Sequence, residues 1–398
     1  MSYRKGYCTS KFLIKLLLIL TTIAWMIYPT GDISTLNIVK VPALFVIAIL
    51  IILNYRYASI KFRAPLLVLT TMLILGLINV YGRIDMELIV GLAYFFLFTF
   101  LIVISDALRI DKSIKRYIYI CALISIATST YYAYSPIAHW TGRAFIDYLT
   151  LGMYNSNYAG ILLFAIGATF IVACPKNNWF QGLLNYSIYG WNCYLIFETN
   201  CRSAFVAAIL VPLASIFLLK YRIKKFIILA TLLLPIVFVP FYMKLAENTK
   251  VTDEELMGKG VVSGRQRVYH EYFDTVNFEE ILLGKFGSSG VPNQHNGPLA
   301  VFTAFGVFGF AAFGYILVKK LFQDNEYATS IDAKFGIYAI LACIIESCGE
   351  AALFSGSFPA FIYVYLFFVL AGSDNKRDVL TTTIDNERQC YARGIELR

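Results

Sequence analysis

Three short stretches carry side chains whose type and setting could do chemistry. The first is Glu198-Thr-Asn-Cys-Arg202-Ser-Ala-Phe, which opens an apolar run. An arginine in a helix's first turn opposes the macrodipole, whose positive end lies there. An anion nearby would relieve that opposition. So would a local pair with Glu198, or a reach to lipid phosphate. The second is Ser263-Gly-Arg265-Gln266-Arg267-Val-Tyr269. Ser263 and Gln266 fit a capping box at a helix start. Val268, Tyr269, Tyr272, Phe273 and Val276 then share one apolar face at helical spacing. Free backbone N–H groups and the Arg265 guanidinium at that end suit a phosphate. Arginines of an interfacial helix that touch lipid headgroups fit the same pattern. The third is Asn293-Gln-His295-Asn296-Gly297-Pro298. Pro298 suits the first position of a helix, which sets His295 beside a helix N-terminus. The positive end disfavours imidazolium and leaves the ring able to accept a proton. A surface histidine in a turn is the plainer reading, and the one given to His139 and His270. Glu346 and Glu350 flank a tight turn, where they could assist or simply pair at a helix end.

The elements that must position these residues follow from composition. Hydrophobic residues make up 59% of the 398, charged residues 15%, and mean hydropathy is +0.66. A soluble domain averages about 25% charged residues. An ordinary soluble enzyme, a disordered chain and a fibrous protein are thereby excluded, which leaves an all-α polytopic membrane protein. About twelve apolar runs approach the length a spanning helix needs. They lie near Phe12–Tyr28, Val39–Leu53, Ala64–Val80, Met86–Ile104, Tyr117–Tyr134, Asn157–Cys174, Gly182–Glu198, Arg202–Leu219, Phe226–Tyr242, Pro298–Val318, Ala333–Glu346 and Ala351–Leu370. The first is read as a retained helix, since it is long and lacks a small-residue cleavage site. Eight scattered Cys and three His form no CxxC or Cys/His cluster, so neither a disulfide framework nor a metal site is expected.

Most of the 34 Lys and Arg fall on one side if the N-terminus is cytoplasmic. Arg4, Lys5, Lys11, Arg56, Lys61, Arg63, Arg109, Lys112, Lys115, Arg116, Lys220, Arg222, Lys224, Lys225, Lys319 and Lys320 are among them. The positive-inside rule thus sets both direction and parity. The net charge of +9 is a topology signal on this reading, and no nucleic-acid partner is expected. The domain expectation is one transmembrane unit over 1–372. It includes an extracytoplasmic loop over 244–295, and a cytoplasmic tail over 373–398 that is read as disordered. Ionisable groups gather at the outer rim: Arg83, Arg143, Glu198, Arg202, Glu346, Glu350 and the long loop. Span centres are almost free of them, which suits surface chemistry better than passage through the midplane.

Taken in order, the pieces resemble the O-antigen ligase and Wzy-type polysaccharide polymerase superfamily. The residues that carry the likeness are Thr199-x-x-Arg202-Ser203-Ala204, Ser263-Gly264-Arg265 with Tyr269, Leu282-Leu283-Gly284-Lys285-Phe286-Gly287, and His295-Asn296 followed by Gly306-Val307-Phe308-Gly309. The likeness covers about Thr199 to Leu321. The N-terminal half matches in hydropathy alone.

The resemblance implies a GT-C-like fold and an inverting, metal-independent glycosyltransferase without a cofactor, at the outer face of a bacterial cytoplasmic membrane. Its donor and acceptor would be oligosaccharide repeat units on undecaprenyl diphosphate, and membrane lipids and a chain-length regulator are further candidate partners. Arg202 and Arg265 would bind the diphosphate, and His295 would orient or deprotonate the incoming hydroxyl. Arg267, Tyr269 and Asn296 would support substrate binding. Ligases of the superfamily often have a longer external loop, so the reading favours a polymerase of O-antigen or capsule. A ligase acting on lipid A-core or another acceptor is the alternative. A transporter of lipid-linked sugar is a third reading, and it would need polar groups through the midplane.

Overall fold

The computed structural model describes residues 2–27, 33–55, 60–80, 86–108, 110–141, 144–153, 155–175, 178–217, 222–247, 255–256, 259–260, 265–284, 295–350 and 360–374. The described residues are almost wholly helical. In order come α1 (Ser2–Ile27), α2 (Ile33–Asn54), α3 (Arg63–Val80), α4 (Met86–Ile104), α5 (Lys112–Ala133), α6 (Ser156–Ala173), α7 (Trp179–Glu198), α8 (Arg202–Phe217) and α9 (Lys225–Ala246). A short antiparallel hairpin follows, β1 (Glu255–Leu256) with β2 (Lys259–Gly260), in which Glu255 faces Gly260 and Leu256 faces Lys259. Then come α10 (Arg265–Thr275), α11 (Phe278–Leu283), α12 (Gly297–Tyr327), α13 (Ile331–Glu346) and α14 (Ala360–Ala371).

Each apolar run of the sequence carries one of these helices, and α4 matches its run end for end. Among the described residues, four helical segments are long and apolar enough to cross a membrane: Thr9–Ile27, Ser156–Ala173, Lys225–Ala246 and Gly297–Tyr327. The protein is therefore a helical membrane protein. Its periphery fits that medium. Phe45, Ile52, Leu67, Phe226, Val237 and Phe241 are large, apolar and exposed. An apolar coat of that extent is unfavourable in water and neutral in lipid.

The core is built on α6 and α14. Every α6 residue from Ala159 to Ala173 is buried, and so is every α14 residue from Ile362 to Ala371. α14 packs on α13 and α6, α8 packs on α13 and α6, and α12 packs on α3 and α9. Helix starts are capped where the sequence offers Asp, Asn or Ser. Asp111 Oδ1 accepts from Ile114 N at 2.8 Å, Asn178 Oδ1 from Gln181 N at 2.8 Å, and Ser330 Oγ from Ala333 N at 3.2 Å.

The structure amends several expectations. α9 continues to Ala246, about a turn past the expected end of its run. Ser373 and Asp374, assigned to the tail, belong to the fold. They close a 3-10 turn, Gly372–Asp374, in which the Asp374 carboxylate accepts from the backbone N–H groups of Thr329 and Ser330. Lys320 is not a basic residue on an exposed end. It is wholly buried and bonded to Asp106 and to Asp324, the latter at 2.6 Å. A lysine there holds its charge because two carboxylates compensate its desolvation. The expected tail from 375 onward, Arg83, Arg143 and the stretch 285–294 lie outside the described residues, as do Ser263 and Gly264.

Candidate functional site

The end of the bundle formed by the start of α8, the end of α9, α10, the start of α12 and the end of α13 gathers Arg202, Arg265, His295, Glu346 and Glu350. Its hub is Glu350. α13 ends at Glu346, and a tight turn follows, with Gly349 N and Glu350 N both donating to Glu346 O at 3.0 and 3.1 Å. The turn sends the Glu350 carboxylate inward, where its side chain is 3% exposed. Three residues from three parts of the chain meet it. Arg265 Nη2 donates to Oε1 at 2.9 Å, Asn157 Nδ2 donates to Oε1 at 2.6 Å, and His295 Nδ1 lies 3.1 Å from Oε2.

Arg265 is the first residue of α10, a helix placed by its aromatic face. Tyr269 and Tyr272 are buried against Val239 and Tyr242 of α9 and Leu299 of α12, with Phe238, Met243 and Val276 packed around them. The rings of Tyr242 and Tyr269 meet edge to face with centroids 6.0 Å apart. Phe273, expected on the same face, is exposed, so the buried stripe is narrower than the sequence pattern and centres on the two tyrosines. Arg267 is exposed on α10 and takes no part in the Glu350 cluster.

Arg202 opens α8, and its guanidinium and that of Arg265 lie close enough to interact electrostatically; both act on the Tyr242 phenol. Its neighbour Ser203 packs against the Gly349 turn. A Cβ on Gly349 would fall 2.9 Å from Ser203 Cβ and 3.2 Å from Arg265 Nη1, so the turn admits both only because position 349 has no side chain. Ser203 Oγ also donates to Glu346 Oε1 at 3.4 Å. The Arg265 guanidinium is thus paired with the buried Glu350 carboxylate, the Arg202 guanidinium lies near it, and Glu346 is bonded to Ser203 beside them.

His295 precedes the cap of α12. Asn296 Oδ1 accepts from Leu299 N at 3.0 Å, and its Nδ2 donates to Pro235 O at 2.9 Å. That amide is fully buried and spent on structure. Asn296 holds the start of α12 against α9, and the helix begins at Gly297 with Pro298 second. His295 itself has φ +44°, a left-handed conformation that few non-glycine residues adopt. Such a residue persists when its surroundings over-determine it. Here the cap, the Gly297 N–H to Ser347 O bond at 3.0 Å and the Glu350 contact supply that constraint.

Three groups at the site have their proton state set by burial. Burial, with Glu350 and Glu346 adding, pushes the Cys201 thiol up to about 12, and burial and Glu346 do the same for Cys348. Neither is a thiolate nucleophile at neutral pH. Burial also raises the Tyr269 phenol, against the opposing pull of Arg265, so it stays protonated. Its hydroxyl is buried and has no hydrogen-bond partner among the described residues. A neutral phenol in that position is a donor awaiting an acceptor.

Arg202, Arg265, His295 and Tyr269 are thus brought to one place. Arg267 is not, and Asn296 serves the scaffold. The sequence reading missed Asn157 and the joining role of Glu350. Nothing local marked Asn157, which is an early residue of an apolar helix. No family model matches the chain, and no curated protein matches it.

Proposed function

We propose that the protein is a membrane glycosyltransferase that polymerises oligosaccharide repeat units carried on undecaprenyl diphosphate. On this reading the bundle has the twelve-span, GT-C-like arrangement expected from the sequence. The site lies at the extracytoplasmic face of a bacterial cytoplasmic membrane, and both termini are cytoplasmic. The observation that carries the reading is the convergence of two arginines and a histidine, from three distant segments, around one buried carboxylate turn.

The chemistry follows from the charges. A diphosphate ester is a poor leaving group unless its developing negative charge is met. Arg202 and Arg265 meet it in a setting where lipid and protein exclude most water and strengthen the interaction. The acceptor's hydroxyl attacks the anomeric carbon from the side opposite the diphosphate, so configuration inverts. Its O–H proton passes to the His295 imidazole, its oxygen lone pair forms the new glycosidic bond, and the C–O bond to the diphosphate breaks with its electron pair leaving on phosphate. No metal is required, because the guanidiniums supply the positive charge. Two lipid-anchored substrates held at one membrane depth supply the proximity.

The test is incubation of the purified protein with a lipid-linked repeat unit, followed by electrophoresis of the products. A ladder on the polyprenyl carrier is expected. A single transfer onto a different acceptor would make the protein a ligase, and no transfer to any acceptor would overturn the reading.

A further inference from the structure

The Glu350 carboxylate divides its two oxygens between two kinds of neighbour. Oε1 receives Arg265 Nη2 at 2.9 Å and Asn157 Nδ2 at 2.6 Å, and both of those groups can only donate. Oε1 is therefore an acceptor. Oε2 faces His295 Nδ1 at 3.1 Å, and the same ring nitrogen is 3.3 Å from Oε1. Paired with the Arg265 guanidinium, Glu350 acts as a carboxylate with no hydrogen to give, and the bond to His295 is then one in which Nδ1 carries the proton. Nε2 is then the nitrogen with a lone pair.

We propose that Glu350 is a positioning residue that fixes His295 in the Nδ1-protonated tautomer, leaving Nε2 to take the proton of the attacking sugar hydroxyl. The proposal rests on the glycosyl-transfer reading and adds a residue to it. Three observations support the assignment over a purely structural ion pair. The carboxylate side chain is 3% exposed, whereas His295 is 23% exposed and Arg265 21%, so the buried member is the one that anchors and the accessible ones are those that act. His295 sits at φ +44°, a backbone cost that a simple helix start does not need. Asn157, from α6, completes the hold on Oε1, so the carboxylate is fixed by one of the two core helices of the bundle. The same carboxylate faces the imidazolium as it forms and stabilises it. A base oriented by an acid is an arrangement that acyl-transfer enzymes also use. Other charged or titratable groups around the cluster are Arg202 on α8, Tyr242 on α9, Arg265 and Tyr269 on α10, and Glu346 and Cys348 at the end of α13.

With three histidines in the chain, a His139→Gln/His270→Gln background leaves His295 as the one imidazole, and nitrogen NMR of the purified, ¹⁵N-histidine-labelled protein at alkaline pH reads its tautomer directly. The expected result is a single tautomer protonated at Nδ1. Glu350→Gln, which keeps an acceptor oxygen, should retain it; Glu350→Leu should lose it. In the product assay Glu350→Leu should lower kcat roughly 100-fold, with the donor KM changing far less. An Nε2-protonated ring in the parent protein, or an unchanged tautomer in Glu350→Leu, overturns the proposal. Should Glu350→Leu fail to fold, Glu350→Gln decides: kcat must fall about tenfold through the lost charge, and a kcat equal to the parent's overturns the proposal. If the tautomer behaves as expected while the parent protein transfers no glycan, the glycosyl-transfer reading fails and the Glu350–His295 pairing stands.

Discussion

Gly284 and Gly306 let two backbone segments meet at a distance that any side chain at either position would forbid. Gly284 ends α11 at φ +84°, and a Cβ there would lie 2.3 Å from Ala304 O. Gly306 interrupts α12 at φ +62°, and a Cβ there would lie 2.3 Å from Leu282 O. The last turn of α11 thus seats directly in the kink of α12, about ten residues beyond His295. The non-helical residue splits α12 into a short first segment that carries the His295–Asn296 cap and a long second one. The kink couples the segment after β2 to the helix that holds the imidazole.

Gly306→Ala should therefore be costly. A side chain at positive φ costs roughly 1–2 kcal/mol, and the clash with Leu282 adds to it. Thermal unfolding in detergent, followed by tryptophan fluorescence, should show a large fall in Tm. Gly314→Ala is the control, since a Cβ there meets nothing within 4 Å, and its Tm should equal the parent's or exceed it slightly.

Arg202→Ala, Arg265→Ala and His295→Ala should each abolish chain growth while membrane insertion and elution on size exclusion are kept. Arg265→Lys should restore a minor part, because an ammonium supplies charge without the planar fork. His270→Ala should be mild, since His270 is exposed on α10. Polymer of normal length from all three alanine variants would sink the site.

The arginines and the histidine were legible because each breaks a local rule: a cation at a positive helix end, a guanidinium in a capping pattern, an imidazole before a proline. The twelve apolar runs were legible because hydrocarbon demands continuous helix. What joins them was not. Glu350 reaches Asn157, Arg265 and His295 across 193, 85 and 55 positions of sequence, and no periodicity links residues that far apart. The Lys320 cluster was misread for a related reason. A Lys-Lys pair at a helix end looks solvated until the carboxylate of Asp106, 214 positions away, is found against it. The two glycine motifs were visible, but their mutual contact was not.

Lys320 offers a stability test at the opposite end of α12. Lys320→Ala would leave Asp106 and Asp324 facing each other with Asp324 fully buried, at a cost of about 3–5 kcal/mol. The combined Asp106→Asn/Lys320→Met/Asp324→Asn variant removes all three charges and should recover most of the loss. Denaturant unfolding of the three proteins closes the comparison, and a Lys320→Ala variant as stable as the parent would show that the cluster contributes nothing.

Asp374 gives stability a pH dependence. Burial raises its carboxyl, but hydrogen bonds from the backbone N–H groups of Ser330 and Thr329 and from the Thr329 hydroxyl outweigh burial and hold it below the ordinary 3.8. A carboxylate lowered in the folded state contributes stability that is fully present above 3.8 and is lost as pH falls through the folded value. Asp374→Asn should thus lower Tm at neutral pH, by an amount corresponding to roughly 1–3 kcal/mol. The gap should close as the pH is taken below the ordinary carboxyl range. A gap that persists unchanged in acid would assign it to packing instead.

Tyr269→Phe separates stability from activity at the site itself. The phenol is wholly buried and its hydroxyl has no partner among the described residues, an arrangement that costs free energy in the unliganded protein. Deleting the oxygen keeps the ring that packs on Tyr242, so the variant should be at least as stable as the parent and Tm should hold or rise. If the hydroxyl is kept for a substrate oxygen, the same change should cut kcat/KM about tenfold or more, since it removes a donor that only bound substrate satisfies. The two readouts then move in opposite directions. A phenylalanine variant with both Tm and kcat/KM unchanged would show that the hydroxyl serves neither the fold nor the substrate, and that Arg265 is placed by the aromatic ring alone.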